Sequence, residues 1–148
     1  MIRVKFIKTH EDAILPSKNY HGNSTGDACY DLFAVETVKI AAGENKVVPV
    51  GMKVAFIEPG YWLRIEARSG NGFNKNLEPH PGIIDNGYRG DLDIKIFNLG
   101  KEDQVIEKGK GVAQFSIIKM ISADISWSQE ISDSERGEKG LGSSDKNE

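Results

Sequence analysis

Asp91-Leu92-Asp93-Ile94-Lys95-Ile96 decides the fold class of this chain. Leu92, Ile94 and Ile96 fall on one side of an extended backbone, and Asp93 and Lys95 fall on the other. A two-residue period of this kind makes a strand with one face in a core and one in water.

The same short period recurs on both sides of that stretch. Residues 61–67 alternate behind Glu58-Pro59-Gly60, a turn signal in which proline presets one dihedral and glycine accepts conformations other residues avoid. Arg3-Val4-Lys5-Phe6 alternates at the start of the chain. Residues 38–40 and 47–50 read as strands separated by Ala41-Ala42-Gly43-Glu44-Asn45, and Gly51 allows a change of direction before another strand at 52–56. Downstream, 112–118 and 121–127 add two more. No long window reads as an amphipathic helix, which leaves room for one short helix between Trp127 and Arg136. Many short strands with frequent glycine turns imply an all-β fold, either a jelly-roll-like β-barrel or a two-sheet sandwich.

The chain has 148 residues, enough for one domain with a hydrophobic core. With 39% hydrophobic and 28% charged residues its composition is that of a globular protein. The expected division is a β domain over 1–135 and a flexible glycine-rich arm over 136–148. Gly137, Gly140 and Gly142 would let backbone N–H groups of that arm converge on an anion, beside Arg136, Lys139, Ser143 and Ser144. A merely solvated tail is the competing reading.

The formal net charge is -3, without a basic block able to track a nucleic-acid backbone. Long DNA or RNA is therefore excluded as the main partner, whereas a small phosphorylated ligand is not. The single cysteine, Cys29, cannot form an internal disulfide, and no apolar run is long enough for a membrane span or signal sequence. Both observations point to a cytoplasmic protein with no membrane partner. On the same ground Asn23-Ser24-Thr25 is a chance match to a glycosylation acceptor.

Pro81-Gly82-Ile83-Ile84-Asp85-Asn86-Gly87-Tyr88-Arg89-Gly90-Asp91 carries the most chemistry. A carboxylate at Asp85, held by a bend behind two isoleucines, can take a proton from water without moving. Aspartate equally often caps such a turn through its own backbone. Tyr88 offers a face for a sugar or base. Arg89-Gly90-Asp91 matches an adhesion tripeptide, but a structural turn fits better at the start of a strand in a chain without an export signal.

Arg68-Ser69-Gly70-Asn71-Gly72 sets a guanidinium fork and a hydroxyl beside glycine N–H groups, a pattern suited either to phosphate oxygens or to an ordinary hairpin turn with a solvated arginine. Asp31 is either a surface aspartate or a carboxylate that holds hydrated Mg2+, an ion that keeps waters when bound to a triphosphate. In Gly109-Lys110-Gly111-Val112-Ala113-Gln114, the Gln114 amide can orient water, bind phosphate or satisfy a strand edge. His10, His21 and His80 have no metal-ligand spacing, and Cys29 has no activating base. A P-loop and a dinucleotide fingerprint are both absent.

Taken in order, these segments resemble the trimeric dUTP pyrophosphatase (dUTPase) family. Asp27-Ala28-Cys29-Tyr30-Asp31-Leu32, Arg68-Ser69-Gly70, residues 82–90, residues 109–114 and residues 136–144 all follow that family's order. The resemblance implies a jelly-roll-like homotrimer with shared active sites and a C-terminal arm that closes over nucleotide. It also implies a reaction in which Asp85 deprotonates water for attack at the α-phosphorus of dUTP, giving dUMP and pyrophosphate. Arg68, Ser69, Gly70 and Gln114 would hold phosphate oxygens, with Gln114 also in the catalytic set, and Mg2+ would sit near Asp31 through water. Tyr88 would pack on deoxyribose, and a hairpin over about 73–81, with Gly82, would read uracil through its backbone. Arg136, Leu141, Gly142, Ser143 and Ser144 would complete the cradle.

The chain departs from the family pattern at several positions. Cys29 stands where glycine is usual, Asn71 where leucine is, Gly87 where aspartate is frequent, and Gly111 where arginine is. Pro79, which lacks an N–H, replaces a frequent asparagine, and Leu141 replaces the arm's phenylalanine. The alternatives are a related deoxynucleoside triphosphate pyrophosphatase with altered base preference, motivated by Pro79 and Leu141, and a catalytically weak nucleotide-binding or regulatory trimer.

Overall fold

A computed structural model describes residues 1–18, 26–138 and 140. Ten strands and one short helix run in the order β1 (Val4–Lys8), β2 (Tyr30–Phe33), β3 (Val38–Ile40), β4 (Asn45–Ile57), β5 (Tyr61–Glu66), α1 (Ser69–Lys75), β6 (Leu77–Pro79), β7 (Ile83–Ile84), β8 (Asp91–Asn98), β9 (Gln104–Ile106) and β10 (Gly111–Lys119). The strands form two four-stranded sheets, ordered β1-β4-β8-β6 and β2-β10-β5-β7, and a β3-β9 ribbon, with every pairing antiparallel. This is the expected all-β architecture in its two-sheet form.

Alternation along the strands builds the core. Leu92, Ile94 and Ile96 of β8 are buried as their spacing predicts, and they pack in one cluster with Val48, Val50, Met52 and Val54 of β4 and with Leu63, Ile65, Val112 and Phe115 of the opposite sheet. Phe115 also bridges the layers, with its ring 5.9 Å from Phe6 and stacked 5.4 Å from Tyr30.

Five expectations are corrected. Residues 47–50 and 52–56 belong to one long strand, β4, in which Gly51 makes a bulge at φ 67 where the register with β8 shifts. A Cβ there would lie 2.7 Å from the His10 side chain and 2.8 Å from that of Val35, so glycine is needed for both backbone and space. Residues 121–127 form no strand, and no helix occurs between Trp127 and Arg136; Ile121, Ile125, Trp127 and Ile131 stand almost fully exposed beyond β10.

The other two corrections concern the motif after β5. Ser69–Lys75 is a helix rather than a turn, closed by Asn76 in the left-handed conformation at φ 53. The hairpin expected over 73–81 is not formed: β6 pairs with β8 in one sheet, β7 pairs with β5 in the other, and residues 80–82 carry the chain across. Among the described residues no helix is long and apolar enough to cross a membrane.

Candidate active site

The polar centre of the molecule lies where β2, β5 and β10 converge. Asp31, in the middle of β2, is only 4% exposed, so it is no surface aspartate. Its carboxylate is matched by Arg68, which leaves the end of β5: Nε donates to Oδ1 at 2.9 Å and Nη2 to Oδ2 at 3.2 Å. Arg68 Nη1 donates to the Gly111 carbonyl at 3.2 Å. These three bonds use three of the five guanidinium N–H groups and leave one on each terminal nitrogen. The fork is thus aimed, charged and still able to donate.

A cavity of about 430 Å³ opens beside this pair, lined by Asp31, Arg68, Ser69, Gly70 and Gln114 together with Asp27, Ala28 and Cys29. Five residues singled out in three separate stretches of sequence therefore meet in one hollow. Ser69 and Gly70 are exposed at the start of α1. Gln114 donates from Nε2 to the Ala67 carbonyl at 2.7 Å, which satisfies a strand edge and leaves its amide oxygen to accept. Burial, with Glu66 adding to it, pushes the Cys29 thiol above its ordinary value and keeps it protonated, which agrees with a packing role.

This cavity suits a hydrated cation better than a fully caged one. No group of three His, Cys, Asp or Glu side chains is placed to hold a metal among the described residues. Asp31, however, is an oxygen donor with lone pairs to spare, and Asp27, in the same wall, buries an Oδ2 atom with no hydrogen-bond partner. Carboxylate oxygens that contact an ion through its waters fit magnesium chemistry.

Asp85 occupies a different place. It follows β7 on a turn closed by the Tyr88 N–H donating to the Asp85 carbonyl at 3.0 Å, and its carboxylate is exposed. The turn is anchored by Asn86, a residue the sequence reading passed over: its Nδ2 lies 3.2, 3.0 and 2.9 Å from the carbonyls of Ile57, Glu58 and Tyr61. Three acceptors facing two hydrogens fasten this turn to the one before β5. The Tyr88 hydroxyl donates to the Asp91 carbonyl at 2.8 Å, and its ring lies over Gly90, where a Cβ would have no room.

Arg89-Gly90-Asp91 is structural, as expected. Arg89 Nη1 donates to the carbonyls of Asn86 and Tyr88, and Asp91 pairs with Lys53 at 3.5 Å.

Strand register separates the Asp85 turn from the Arg68 cavity. Leu63 pairs with Ile84 and Arg64 with Ile83, and the Ile65 N–H donates to the Gly82 carbonyl at 2.9 Å. Gly82 therefore lies toward the Arg68 end of β5, whereas Asp85 continues toward Trp62. Six residues part Trp62 from Arg68, or roughly 15–20 Å at about 3.3 Å per residue. Arg136 is exposed beyond the last strand, with Nη2 3.5 Å from the Gly140 carbonyl. Leu141, Gly142, Ser143 and Ser144 lie outside the described residues.

The dUTPase family model matches residues 16–145. The chain is 35% identical over 144 residues to the deoxyuridine 5'-triphosphate nucleotidohydrolase of Crocosphaera subtropica, covering 96% of this chain and 98% of that one. The Mus musculus enzyme of the same name is 31% identical, with 97% and 86% covered. A mutant dUTPase of Staphylococcus bacteriophage 80alpha, solved with dUpNHpp, superimposes with a TM-score of 0.84 at 29% identity, covering 96% and 98%. A dUTPase from phage phi11 of S. aureus, whose structure was described as revealing the coordination of a structural Mg(II) ion, gives 0.78 at 25% identity over 88% and 99%. A match that spans nearly the whole chain, over a β-sandwich that gathers Asp31, Arg68, Ser69 and Gln114 around one cavity, places this protein in the dUTPase family.

Proposed function

We propose that the chain hydrolyses dUTP to dUMP and pyrophosphate, and that each active site is built from more than one copy of it in a homotrimer. The distance along β5 carries this reading. A base must lie within hydrogen-bond reach of the water that attacks a phosphorus held by other donors. On one chain Asp85 and Arg68 sit near opposite ends of the same strand, so the Asp85 turn of one subunit serves the Arg68 cavity of another.

At the phosphate end, the free N–H groups of Arg68, the Ser69 hydroxyl and the Gly70 N–H bind triphosphate oxygens, and Gln114 orients them. Asp31 aims the Arg68 fork, and Asp31 with Asp27 suits Mg2+ held through water. When bound there, the ion would supply positive charge to the triphosphate and to the pyrophosphate that leaves. At the other end Asp85 takes the proton from the attacking water, and Tyr88 packs on deoxyribose. Gly82 and the crossover at 80–82 face the base, and Arg136, with Leu141, Gly142, Ser143 and Ser144 of the arm from 136 to 148, closes the cradle. A cytoplasmic location agrees with Cys29 as the sole cysteine.

Product release from dUTP, dCTP, dTTP and UTP with Mg2+ tests the reading, with Asp85→Asn as the paired control. Selective pyrophosphate release from dUTP that falls about 10³-fold in Asp85→Asn supports it. Unchanged turnover in Asp85→Asn removes that residue from its role. Pro79 favours a second reading, broader base preference, because it ends β6 beside the crossover without an N–H to offer the base. Comparable rates on dCTP or dTTP decide for it.

A further inference from the structure

Two of the departures from the family pattern, Asn71 and Gly111, touch each other and Arg68. Asn71 Nδ2 donates to the Gly111 carbonyl at 3.0 Å and to the Val112 carbonyl at 3.0 Å, so both amide hydrogens are used on consecutive peptides of β10. The Gly111 carbonyl is the same one that accepts from Arg68 Nη1. Gly111 does not need to be glycine for its backbone, because it is absent from the positive-φ glycines, unlike Gly109 at φ 79. What its missing side chain leaves is room for the fork: a Cβ there would overlap the Arg68 guanidinium in its present pose, with Nε 2.9 Å away and the carbon and Nη1 closer still, so the fork would have to shift.

The Arg68 side chain has room to move if it is released. It lines the 430 Å³ cavity, a second hollow of about 480 Å³ on the side of Lys75 and Lys110, and a third of about 530 Å³ beside Phe73 and Glu78. Asp31 alone holds two of its nitrogens, which leaves rotation of the fork about that contact open. The Gly111 carbonyl supplies the third point, and Asn71 fixes where that carbonyl points.

We propose that Asn71 and Gly111 form a positioning pair for Arg68. Gly111 vacates the space the guanidinium occupies, and Asn71 clamps the 111–112 peptides so that the fork keeps its two free N–H groups turned to the phosphates. The proposal rests on the reading of Arg68 as a phosphate ligand. It adds a second set of residues, on α1 and β10, that sets the precision of that contact.

A double-mutant cycle on the full-length protein, assayed with dUTP and Mg2+, tests it. Asn71→Leu is expected to lower kcat/KM about tenfold, the order of loss that follows from a small misplacement of a binding group. In an Arg68→Lys background, where a cation still faces Asp31 but the fork is gone, the same change is expected to cost less than about twofold. Gly111→Ala keeps every backbone bond and approaches from the other side; it too is expected to lose about tenfold, again only with Arg68 present. Inhibition by deoxyuridine, which carries no phosphate, is expected to stay within about twofold in all three variants, a result that general loosening of the fold does not give. Equal losses from Asn71→Leu in both backgrounds, or no loss in the Arg68 background, overturn the proposal alone. Full activity in Arg68→Lys overturns the phosphate reading and the pair with it.

Discussion

The two ends of β5 are built on opposite plans. At the Arg68 end a charged pair joins a buried Asp31 to a half-buried Arg68, with the guanidinium held by two direct bonds to the carboxylate and a third to Gly111. At the Tyr61 end the acid is left in water, and the structure spends its hydrogen bonds on the backbone around it, through Asn86. One end fixes a side chain and the other fixes a turn. An arginine with several rotatable bonds needs partners along its length to hold one pose. An aspartate one carbon from the backbone is placed once its peptide is placed.

The largest effect expected from this division comes from mixing. Asp85→Asn and Arg68→Lys are each expected to disable one end, so each protein alone is expected to retain little of the wild-type activity. Denatured together at equal amounts and refolded, random trimers restore about a quarter of the sites, because each site then draws its two ends independently from different subunits. Activity is read as pyrophosphate release. Failure of the mixture to exceed its components breaks the shared-site reading while leaving both residues in their roles.

Next in size is the turn itself. Asn86→Ala removes three contacts to carbonyls of the neighbouring turn and is expected to destabilise the fold by about 1–3 kcal/mol in urea titration. Its rate defect falls on kcat, since it loosens the acid and not the phosphate cradle. A defect confined to KM contradicts the assignment of Asp85 to that end.

Residues chosen for burial were the readable ones. The β8 pattern survives intact because the side chains that set its period are the ones that fill the core. What the sequence could not disclose was partnership across long separations. Asp31 and Arg68 are 37 positions apart, and nothing local marks the aspartate as buried. Gly51 looks like a break, yet it bends a continuous strand, because the crowding that demands glycine comes from His10, Ala13 and Val35. α1 holds two glycines and two asparagines in seven residues, a poor helix by propensity, and is helped by Asn71, which ties its first turn to β10. The apolar residues of 121–127 fail as a strand for a different reason: Ile121, Ile125 and Trp127 stand exposed among the described residues, so their apolar pattern has no core in this fold to fill.

The smallest expected effect lies away from both ends and serves as a control. Partial desolvation on an otherwise exposed strand face, with Asp91 repelling it, holds the Asp93 carboxyl above its ordinary value of 3.8. Folding therefore favours the protonated form, so the charge penalises the native state once the pH exceeds the raised value and ceases to do so below 3.8. Asp93→Asn is expected to raise the melting temperature slightly at neutral pH, with the gain vanishing as acid titrates both states. Activity on dUTP is expected to be unchanged, and a change would show that β8 communicates with the site.

The empty space at position 111 also constrains how this sequence can change. Every side chain begins with the carbon whose place the Arg68 guanidinium occupies, so any replacement at 111 has to displace that fork from its pose. Asn71 in turn donates to two consecutive peptides, and an aliphatic residue there would leave the Gly111 carbonyl to Arg68 alone and remove the side-chain donor from that of Val112. Changes at the two positions are therefore expected to be non-additive, and they are best engineered as a unit.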